Sequence, residues 1–175
     1  MIFHVKFALT LSLFILTSAS EIAYGDGVSP QPRWGHAMAY DGARDRVVLF
    51  GGARSRTEML GDTWEWNGTA WTRINVPGPS PRGYAAMDYD SNRGRVVLHG
   101  GRDEQRNSLN DTWEWDGKSR HRMAAQSPAG RDHHAIVFDK ARAVTVLFGG
   151  WDGSKVNGDT WQWDGASWRG GAKNN

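Results

Sequence analysis

Short apolar runs alternate with polar turns along most of the chain, and this pattern predicts strands. Residues 46–50 (RVVLF) form an apolar run rich in β-branched residues that ends at a glycine pair. Residues 63–66 (TWEW) place two tryptophans two positions apart, on one face of a strand. Apolar stretches at 37–40 and 70–74 flank these runs, and Asn67-Gly68 predicts a two-residue hairpin with positive φ at both residues. One unit is therefore predicted to be four short antiparallel strands, with no helical period.

The same unit returns twice more along the chain. The segment DTWEWNG at 62–68 recurs as DTWEWDG at 111–117 and as DTWQWDG at 159–165, a spacing of 49 and then 48 residues. Four strands repeating at this period are typical of propeller blades and not of a β-helix or a helical solenoid. The predicted fold is therefore all-β, a β-propeller with three four-stranded antiparallel blades. The predicted segments are a signal peptide at 1–25, a linker at 26–32, and blades at 33–81, 82–130 and 131–175, the last including a short tail.

Residues that recur in register are expected to serve the fold. The tryptophans should fill the core, and the glycine pairs should allow positive φ or the close approach of a neighbouring blade. The arginine that opens each repeat has two interpretations: an anion site around the channel mouth, or a donor to carbonyl groups between blades, which we favour. These repeat residues are Arg33, Arg82, Arg131, Gly51, Gly52, Gly100, Gly101, Gly149, Gly150, Trp64, Trp66, Trp113, Trp115, Trp161 and Trp163.

Each first hairpin also carries an aspartate and an arginine three residues apart. The pairs are Asp41/Arg44, Asp90/Arg93 and Asp139/Arg142. We expect them to brace the turn as exposed ion pairs, which contribute little to stability.

An apolar strand that ends in Gly-Gly and is followed by a spaced tryptophan pair resembles the kelch repeat. The Pro-Arg opening and the Gly-Asp-Thr-Trp core are similar to its bacterial exported variety, and the resemblance covers roughly residues 32–169. The second repeat departs twice from the other two: Arg120 replaces a tryptophan and His99 replaces a phenylalanine. We therefore expect blade two to pack less well at its outer strand.

Three blades do not make a closed propeller, because these rings typically contain four to eight blades. Tryptophan-rich faces and strand edges would be left open to water. Two explanations follow: the sequence is the front part of a longer product, or two chains form a homodimer that closes one six-bladed ring.

The first 25 residues differ from the repeats. A basic start is followed by an apolar run from Phe7 to Leu16 and by small residues, the layout of a signal peptide that is cleaved after Ala19 or Gly25. The run is shorter than the roughly 20 residues that span a bilayer, so no membrane attachment is expected after cleavage. The predicted location is secreted or periplasmic.

Composition narrows the function further. The chain contains no cysteine, and its net charge of +2 includes no Lys/Arg run, which argues against disulfides and against nucleic-acid binding. No metalloprotease, nucleophile-elbow or phosphate-loop motif occurs. The copper chemistry of some kelch-like oxidases requires a cysteine, and Val156 replaces the aspartate of a sialidase-type box. We predict no catalytic residues, no metal site and no cofactor, and hence no enzyme.

The loops after the second and fourth strands share one rim and vary between repeats, as binding loops on a rigid scaffold do. The resemblance implies an exported binding or scaffold module that contacts protein or carbohydrate through this rim. The alternative is part of a larger glycan-acting propeller enzyme, of sialidase or oxidase type, with its catalytic residues in missing blades. The candidate binding residues are Arg54, Arg56, Arg102, Asp103, Arg106, Trp151, Asp152 and Lys155.

Overall fold

A computed structural model describes residues 29–123 and 127–170, which form fourteen strands. The first sheet contains β1 (Ala37–Asp41) and β2 (Arg46–Phe50), then, after a small hairpin of β3 (Ala53–Ser55) and β4 (Glu58–Met59), β5 (Thr63–Trp66) and β6 (Trp71–Ile74). The second contains β7 (Ala86–Asp90), β8 (Arg95–His99), β9 (Thr112–Trp115) and β10 (Arg120–Met123). The third contains β11 (Ala135–Asp139), β12 (Val144–Phe148), β13 (Thr160–Trp163) and β14 (Trp168–Gly170). All pairings are antiparallel, so the predicted all-β fold of four-stranded blades is confirmed.

The described residues contain no helix long and apolar enough to cross a membrane. The predicted signal peptide, residues 1–25, lies outside the described residues.

Two local predictions in the first blade are wrong. The stretch 53–61, expected to be a loop, contains the β3–β4 hairpin. In the turn between β5 and β6, Gly68 has a positive φ of 94° and Asn67 does not. The Asn67 side chain instead accepts hydrogen bonds from Thr69 N (2.9 Å) and Ala70 N (2.8 Å), which supports a wider turn.

The inner strands of the three blades lie side by side. β7 contacts both β1 and β11, and Phe138 N on β11 donates to Asp88 Oδ2 on β7 (2.7 Å). The outer strands β6, β10 and β14 occupy the opposite edge of each sheet. The blades therefore fan out from one axis, as in a propeller.

Two apolar cores lie between the blades. Ala39 and Val48 of blade one pack with Val96 and Trp115 of blade two. Between blades two and three, the core residues are Val97, Leu147, Trp163 and Trp168. A fully buried tryptophan removes roughly 150–250 Å² from water, an upper limit of about 4–6 kcal/mol at 25 cal/mol/Å². The stabilising apolar surface is therefore shared between adjacent blades.

The aspartate–arginine pairs of the first hairpins belong to these interfaces, and their predicted exposure is wrong for two of them. Arg44 binds Asp41 (2.7 Å) and also Glu65 Oε1 (2.7 Å), which accepts a hydrogen bond from Trp115 Nε1 of the next blade (2.9 Å). We call the contact between this glutamate and the following tryptophan the Glu–Trp bridge. The same set recurs between blades two and three as Asp90, Arg93, Glu114 and Trp163. The burial could not be predicted because the covering tryptophan comes from another repeat.

The opening arginines lie inside their own blades. Arg33 donates to both carboxylate oxygens of Asp62 (2.6 and 3.0 Å) and to Gly51 O (3.0 Å). Trp64 Nε1 donates to the same carboxylate (2.6 Å). Arg82 and Arg131 make equivalent contacts with Asp111 and Asp159. Arg82 and Arg131 also donate to a carbonyl group of their own repeat (Gly100 O, 3.1 Å; Gly149 O, 2.9 Å) and to one at the end of the preceding repeat (Ser80 O, 3.0 Å; Ala129 O, 3.1 Å). Their buried side chains therefore link carbonyl groups on both sides of the repeat boundary and do not form an anion site.

The glycine pairs combine positive φ with close packing. Gly51 and Gly52 have φ of 66° and 100°. A Cβ on Gly51 would lie 2.5 Å from the carbonyl oxygen of Arg82, and one on Gly52 would lie 2.9 Å from that of Trp34. Because Gly52 N also donates to Arg82 O (2.9 Å), the pair brings two blades into backbone contact.

The two departures of the second repeat lie at the blade interfaces. His99 is buried against Trp168 of blade three, with ring centres 5.0 Å apart. The Arg120 guanidinium lies 5.2 Å from the centre of the Trp115 ring. The outer strand β10 keeps a four-residue pairing with β9, so the substitutions change the interfaces more than that strand.

Candidate functional site

A groove of about 430 Å³ lies on the rim formed by the loops after β2 and β8. We call it the rim groove. Its walls are the β3–β4 hairpin, the loop after β8, and the residues that follow the opening arginines of the first two repeats. The polar, aromatic and sulfur side chains that line it are Trp34, Ser55, Arg56, Met59, Tyr84, Arg102 and Arg106.

The backbone is strained at the base of this rim. The second residue after each opening arginine has a left-handed conformation: φ is 61° at Gly35, 58° at Tyr84 and 57° at His133. Glycine adopts this conformation freely, whereas tyrosine and histidine do so at a cost of roughly 1–3 kcal/mol. Hydrogen bonds from Tyr84 N to Gly35 O (2.6 Å) and from His133 N to Tyr84 O (3.1 Å) hold the three positions together. The strain places two aromatic side chains next to each other.

Three side chains from three blades form an aromatic row. Trp34 Nε1 donates a hydrogen bond to Tyr84 OH (2.9 Å). The rings of Tyr84 and His133 stack with centres 4.1 Å apart and planes 20° apart. Trp34 is 45% exposed, so the row presents apolar surface beside polar edges. Such amphipathic rings are common in binding sites.

Asp132 anchors one end of the row. Its carboxylate is buried, accepts a hydrogen bond from Ser108 Oγ (3.1 Å), and contacts His133 Nδ1. A carboxylate at Nδ1 keeps the proton on that nitrogen and leaves Nε2 of the imidazole as the outer atom. Asp132 therefore fixes both the orientation and the tautomer of His133.

Arg102 connects this carboxylate with the row. Its Nε lies 3.9 Å from Asp132 Oδ2, and its guanidinium lies 5.1 Å from the centre of the Tyr84 ring. A cation over an aromatic face is stabilised by about 0.5–2 kcal/mol, depending on burial. Arg102 is thus held in place before any ligand binds.

The groove is positively charged. Arg56 and Arg106 are exposed on the two loops beside Arg102. The groove-lining side chains, within the ranges given above, include three arginines and no carboxylate. Arg106 has a positive φ of 68°, which fixes an unusual loop conformation around Asp103. The groove therefore suits a ligand that carries negative charge.

The structure brings three of the eight candidate residues together and places the others elsewhere. Arg56, Arg102 and Arg106 share the rim groove. Arg54 pairs with Glu58 on the hairpin (3.1 Å) and does not line the groove. Asp103 accepts hydrogen bonds from Asn107 N (2.8 Å) and Nδ2 (2.9 Å), which brace the loop after β8.

The remaining candidates lie in the loop after β12. Trp151 pairs through its backbone with Asp132, and Lys155 is exposed. Asp152 accepts hydrogen bonds from Lys155 N and Ser154 N (2.9 Å each), and these bonds lower the pKa of the Asp152 carboxyl. Asp152 therefore braces its own turn.

Trp34, Tyr84, Asp132 and His133 were not predicted from the sequence as site residues. A signal existed: after the invariant opening arginine the repeats read Trp-Gly, Gly-Tyr and Asp-His, so the positions vary beside a fixed residue. Variation next to a repeating scaffold is what binding loops show. Within residues 29–123 and 127–170, no group of three or more His, Cys, Asp or Glu side chains could hold a metal ion.

The blades and their variable rim define a class of protein, a β-propeller-type repeat domain with a groove on one rim. The chain belongs to the kelch-repeat family, since the family model described as the KLHDC2/KLHL20/DRC7 Kelch-repeats domain matches residues 11–169. The match begins inside the predicted signal peptide. No curated protein is significantly similar to this chain. Kelch-repeat domains are generally interaction modules and not enzymes, so the class suggests a protein-interaction scaffold.

Proposed function

We propose that this chain is an exported interaction module that binds an acidic protein segment in the rim groove and has no catalysis of its own. The observation that carries the proposal is the convergence of three arginines on a groove that also contains an aromatic row. The arginines come from loops of two different blades, so the groove depends on the assembled fold.

Arginine favours carboxylates for a geometric reason. Its planar guanidinium offers paired N–H donors that match the two oxygens of a carboxylate, and such charge-assisted bonds are stronger than neutral ones. Trp, Tyr and Arg are also the residues that most often dominate binding energy at protein interfaces. The exposed ring of Trp34 would pack on the ligand while Arg56 and Arg106 pair with its carboxylates.

The site is also pre-organised. Asp132 holds His133 and lies close to Arg102, and the left-handed backbone at Tyr84 fixes the stacked rings. A site that is rigid before binding loses less conformational entropy when a ligand arrives. A rigid rim favours selection of a defined short motif over loose attachment to any acidic surface.

Export rests on the sequence of residues 1–25, whose basic start, apolar run and small residues form a signal peptide pattern. The test is amino-terminal sequencing of the product recovered outside the cytoplasm. A product that begins after Ala19 or Gly25 supports export, and a product that retains Met1 contradicts it.

The binding proposal is tested by selection from a random peptide display library, followed by affinity measurement on labelled peptides by fluorescence anisotropy. We expect selected peptides to be enriched in Asp and Glu, with affinity that falls as salt rises. The double variant Arg56→Ala/Arg106→Ala should bind at least tenfold more weakly and remain folded, because both side chains are exposed.

The matched control is Arg54→Ala, which removes an exposed arginine from the same hairpin but outside the groove. It should bind like the unaltered chain. Selected peptides without acidic bias, or equal losses in the control and in the groove variant, would refute the proposal. Enrichment on a glycan array in place of peptides would point to carbohydrate.

A further inference from the structure

The two outer faces of the blade stack are uncovered in the described part of the chain. On blade three, Phe148 is 57% exposed and Val137 59%, whereas Phe50, the counterpart of Phe148 in blade one, is 3% exposed. On blade one, Met38 and Tyr40 are exposed, whereas their blade-two counterparts pack against blade one. The residues exposed on each open face thus occupy repeat positions whose counterparts are packed at the interfaces between blades.

The same two contacts recur at both interior interfaces. The Glu–Trp bridge joins blade one to blade two and blade two to blade three, with an N–O distance of 2.9 Å in both. The backbone contact also recurs: Gly52 N donates to Arg82 O, and Gly101 N donates to Arg131 O, at 2.9 Å each. A blade therefore offers a glutamate acceptor on its leading face and a tryptophan donor on its trailing face.

Each open face carries a counterpart of one partner in the Glu–Trp bridge. Gln162 occupies the position of the glutamate on blade three and is exposed, and its Oε1 can accept a hydrogen bond as Glu65 does. Trp66 occupies the position of the tryptophan on blade one, and no hydrogen bond from its indole N–H occurs to any described residue. The exposed apolar residues of the two faces are matched in the same way: Phe50 and Met87, the counterparts of Phe148 and Met38, line one interior pocket.

We propose that the leading face of blade three docks on the trailing face of blade one in a second copy of this chain. The contact is made twice, reciprocally, and closes a homodimeric ring of six blades. Six blades lie within the range of closed propellers, and a reciprocal pair of contacts gives a closed symmetric assembly instead of an open filament.

The change from glutamate to glutamine favours a second copy over a permanently buried neighbour. In the interior, the arginines Arg44 and Arg93 neutralise the bridging glutamates. On blade three the residue at the bridging position is the neutral Gln162. Among the described residues, the Arg142 guanidinium binds only Asp139, and its side chain is 73% exposed. A neutral amide is less costly than a carboxylate to transfer between water and an interface, which suits a contact made between separate chains.

The test begins with the solution mass of the chain by light scattering on a sizing column. We expect a particle of twice the chain mass at all concentrations above the dissociation constant. Phe148→Asp and Met38→Lys should each give single chains with unchanged β-sheet circular dichroism, because both side chains are exposed in the isolated stack. Val156→Asp, a charge on an exposed apolar residue of a rim loop, is the control and should remain a dimer.

Mixing the two variants provides a rescue. In a mixed pair, one contact has the new aspartate opposite the new lysine and the other contact is unaltered, so dimers should return when neither variant forms them alone. The proposal is overturned by a wild-type chain of single mass, by a mass that grows without limit with concentration, or by variants that keep the dimer mass.

Discussion

The two interior interfaces share the Glu–Trp bridge, but different residue types pack beside it in each. Between blades one and two, Phe50 and Arg120 occupy the space, and between blades two and three, His99 and Trp168 occupy it. Both departures of the second repeat therefore pack between blades, His99 fully buried and Arg120 half-buried, and one lies on each side of blade two. A single irregular repeat gives its two neighbours unlike interfaces.

The first interface contains a desolvated cation. The Arg120 guanidinium lies 5.8 Å from the centre of the Phe50 ring and 5.2 Å from that of Trp115, and its only hydrogen bond among described residues is a long one to Val76 O (3.4 Å). Burial lowers the pKa of Arg120 to about 10. Gly78 makes room for it, since a Cβ there would lie 2.5 Å from the arginine. This interface keeps a charge that has no carboxylate bonded to it.

The second interface contains two neutral histidines. His99 Nδ1 lies 3.0 Å from Thr112 Oγ1, which also accepts a hydrogen bond from Trp168 Nε1 (2.9 Å). His134 of blade three lies edge-on, with ring centres 5.5 Å apart. Burial and the nearby His134 lower the pKa of His99 well below its usual value, and burial and Arg131 lower that of His134 to about 4. Below about pH 6.5, this interface is therefore sensitive to protons in a way that the first is not.

The largest expected loss of stability comes from removing a buried side chain from the second interface. Trp163 is fully buried and donates to Glu114, so Trp163→Ala should lower the free energy of unfolding by about 3–5 kcal/mol. Urea unfolding followed by circular dichroism measures the loss. Hydrogen exchange should show the loss of protection concentrated in β11–β14 compared with β1 and β2. The control Trp151→Ala removes a partly exposed ring and should have a much smaller effect; equal losses would contradict the buried core at this interface.

Acid should weaken the second interface before the first. The folded pKa values of His99 and His134 lie below the unfolded value of about 6.5, so the unfolded chain binds more protons as pH falls. The stabilisation is complete above pH 6.5 and is lost toward pH 4. For His134, with a folded pKa of about 4, the loss between pH 6.5 and 5 is roughly 2 kcal/mol, and His99 adds a loss of the same sign. Urea unfolding and hydrogen exchange of blade three, measured across this range, check the direction.

The control for this prediction uses residues from the other repeats. His99→Phe/His134→Ala places the blade-one and blade-two residues at these two positions. The double variant should lose most of the pH dependence of blade three between pH 7 and 5. An unchanged slope would assign the acid sensitivity to the exposed histidines.

The strands and blades could be predicted from the sequence because alternation, glycine pairs and turn residues act locally. The Asp41–Arg44 pair could not be placed correctly, since its burial depends on Trp115, which comes from the next repeat. The sequence predicted the arginines of the rim groove, because they lie in loops that vary between repeats. The aromatic row of the groove depends on a left-handed backbone at Tyr84 and His133, which these residue types normally disfavour.

A single substitution at the first interface should raise the free energy of unfolding, whereas acid lowers it at the second interface. Arg120→Met removes the desolvated cation and keeps an unbranched apolar side chain of similar length against Trp115. Replacing a buried charge by an apolar group of similar volume is often stabilising, and we expect a gain of about 1 kcal/mol at pH 7 after the cation–π contribution is lost. Chemical denaturation measures it. A loss of stability would mean that the arginine contributes more through the two rings than its desolvation removes.

The smallest expected effect comes from an arginine on the open face of blade three, compared with its counterpart at an interior interface. Arg93 binds two buried carboxylates, Asp90 and Glu114, whereas Arg142 binds, within the described part of the chain, only the more exposed Asp139. Arg142→Ala should leave the urea midpoint unchanged, because an exposed ion pair is screened by solvent. Arg93→Ala should lower the midpoint clearly, since it leaves two acids without their cation at an interface. Both substitutions are compared in the Phe148→Asp background, in which the face of blade three stays open, and a clear loss there in Arg142→Ala would contradict the description of this ion pair as screened by solvent.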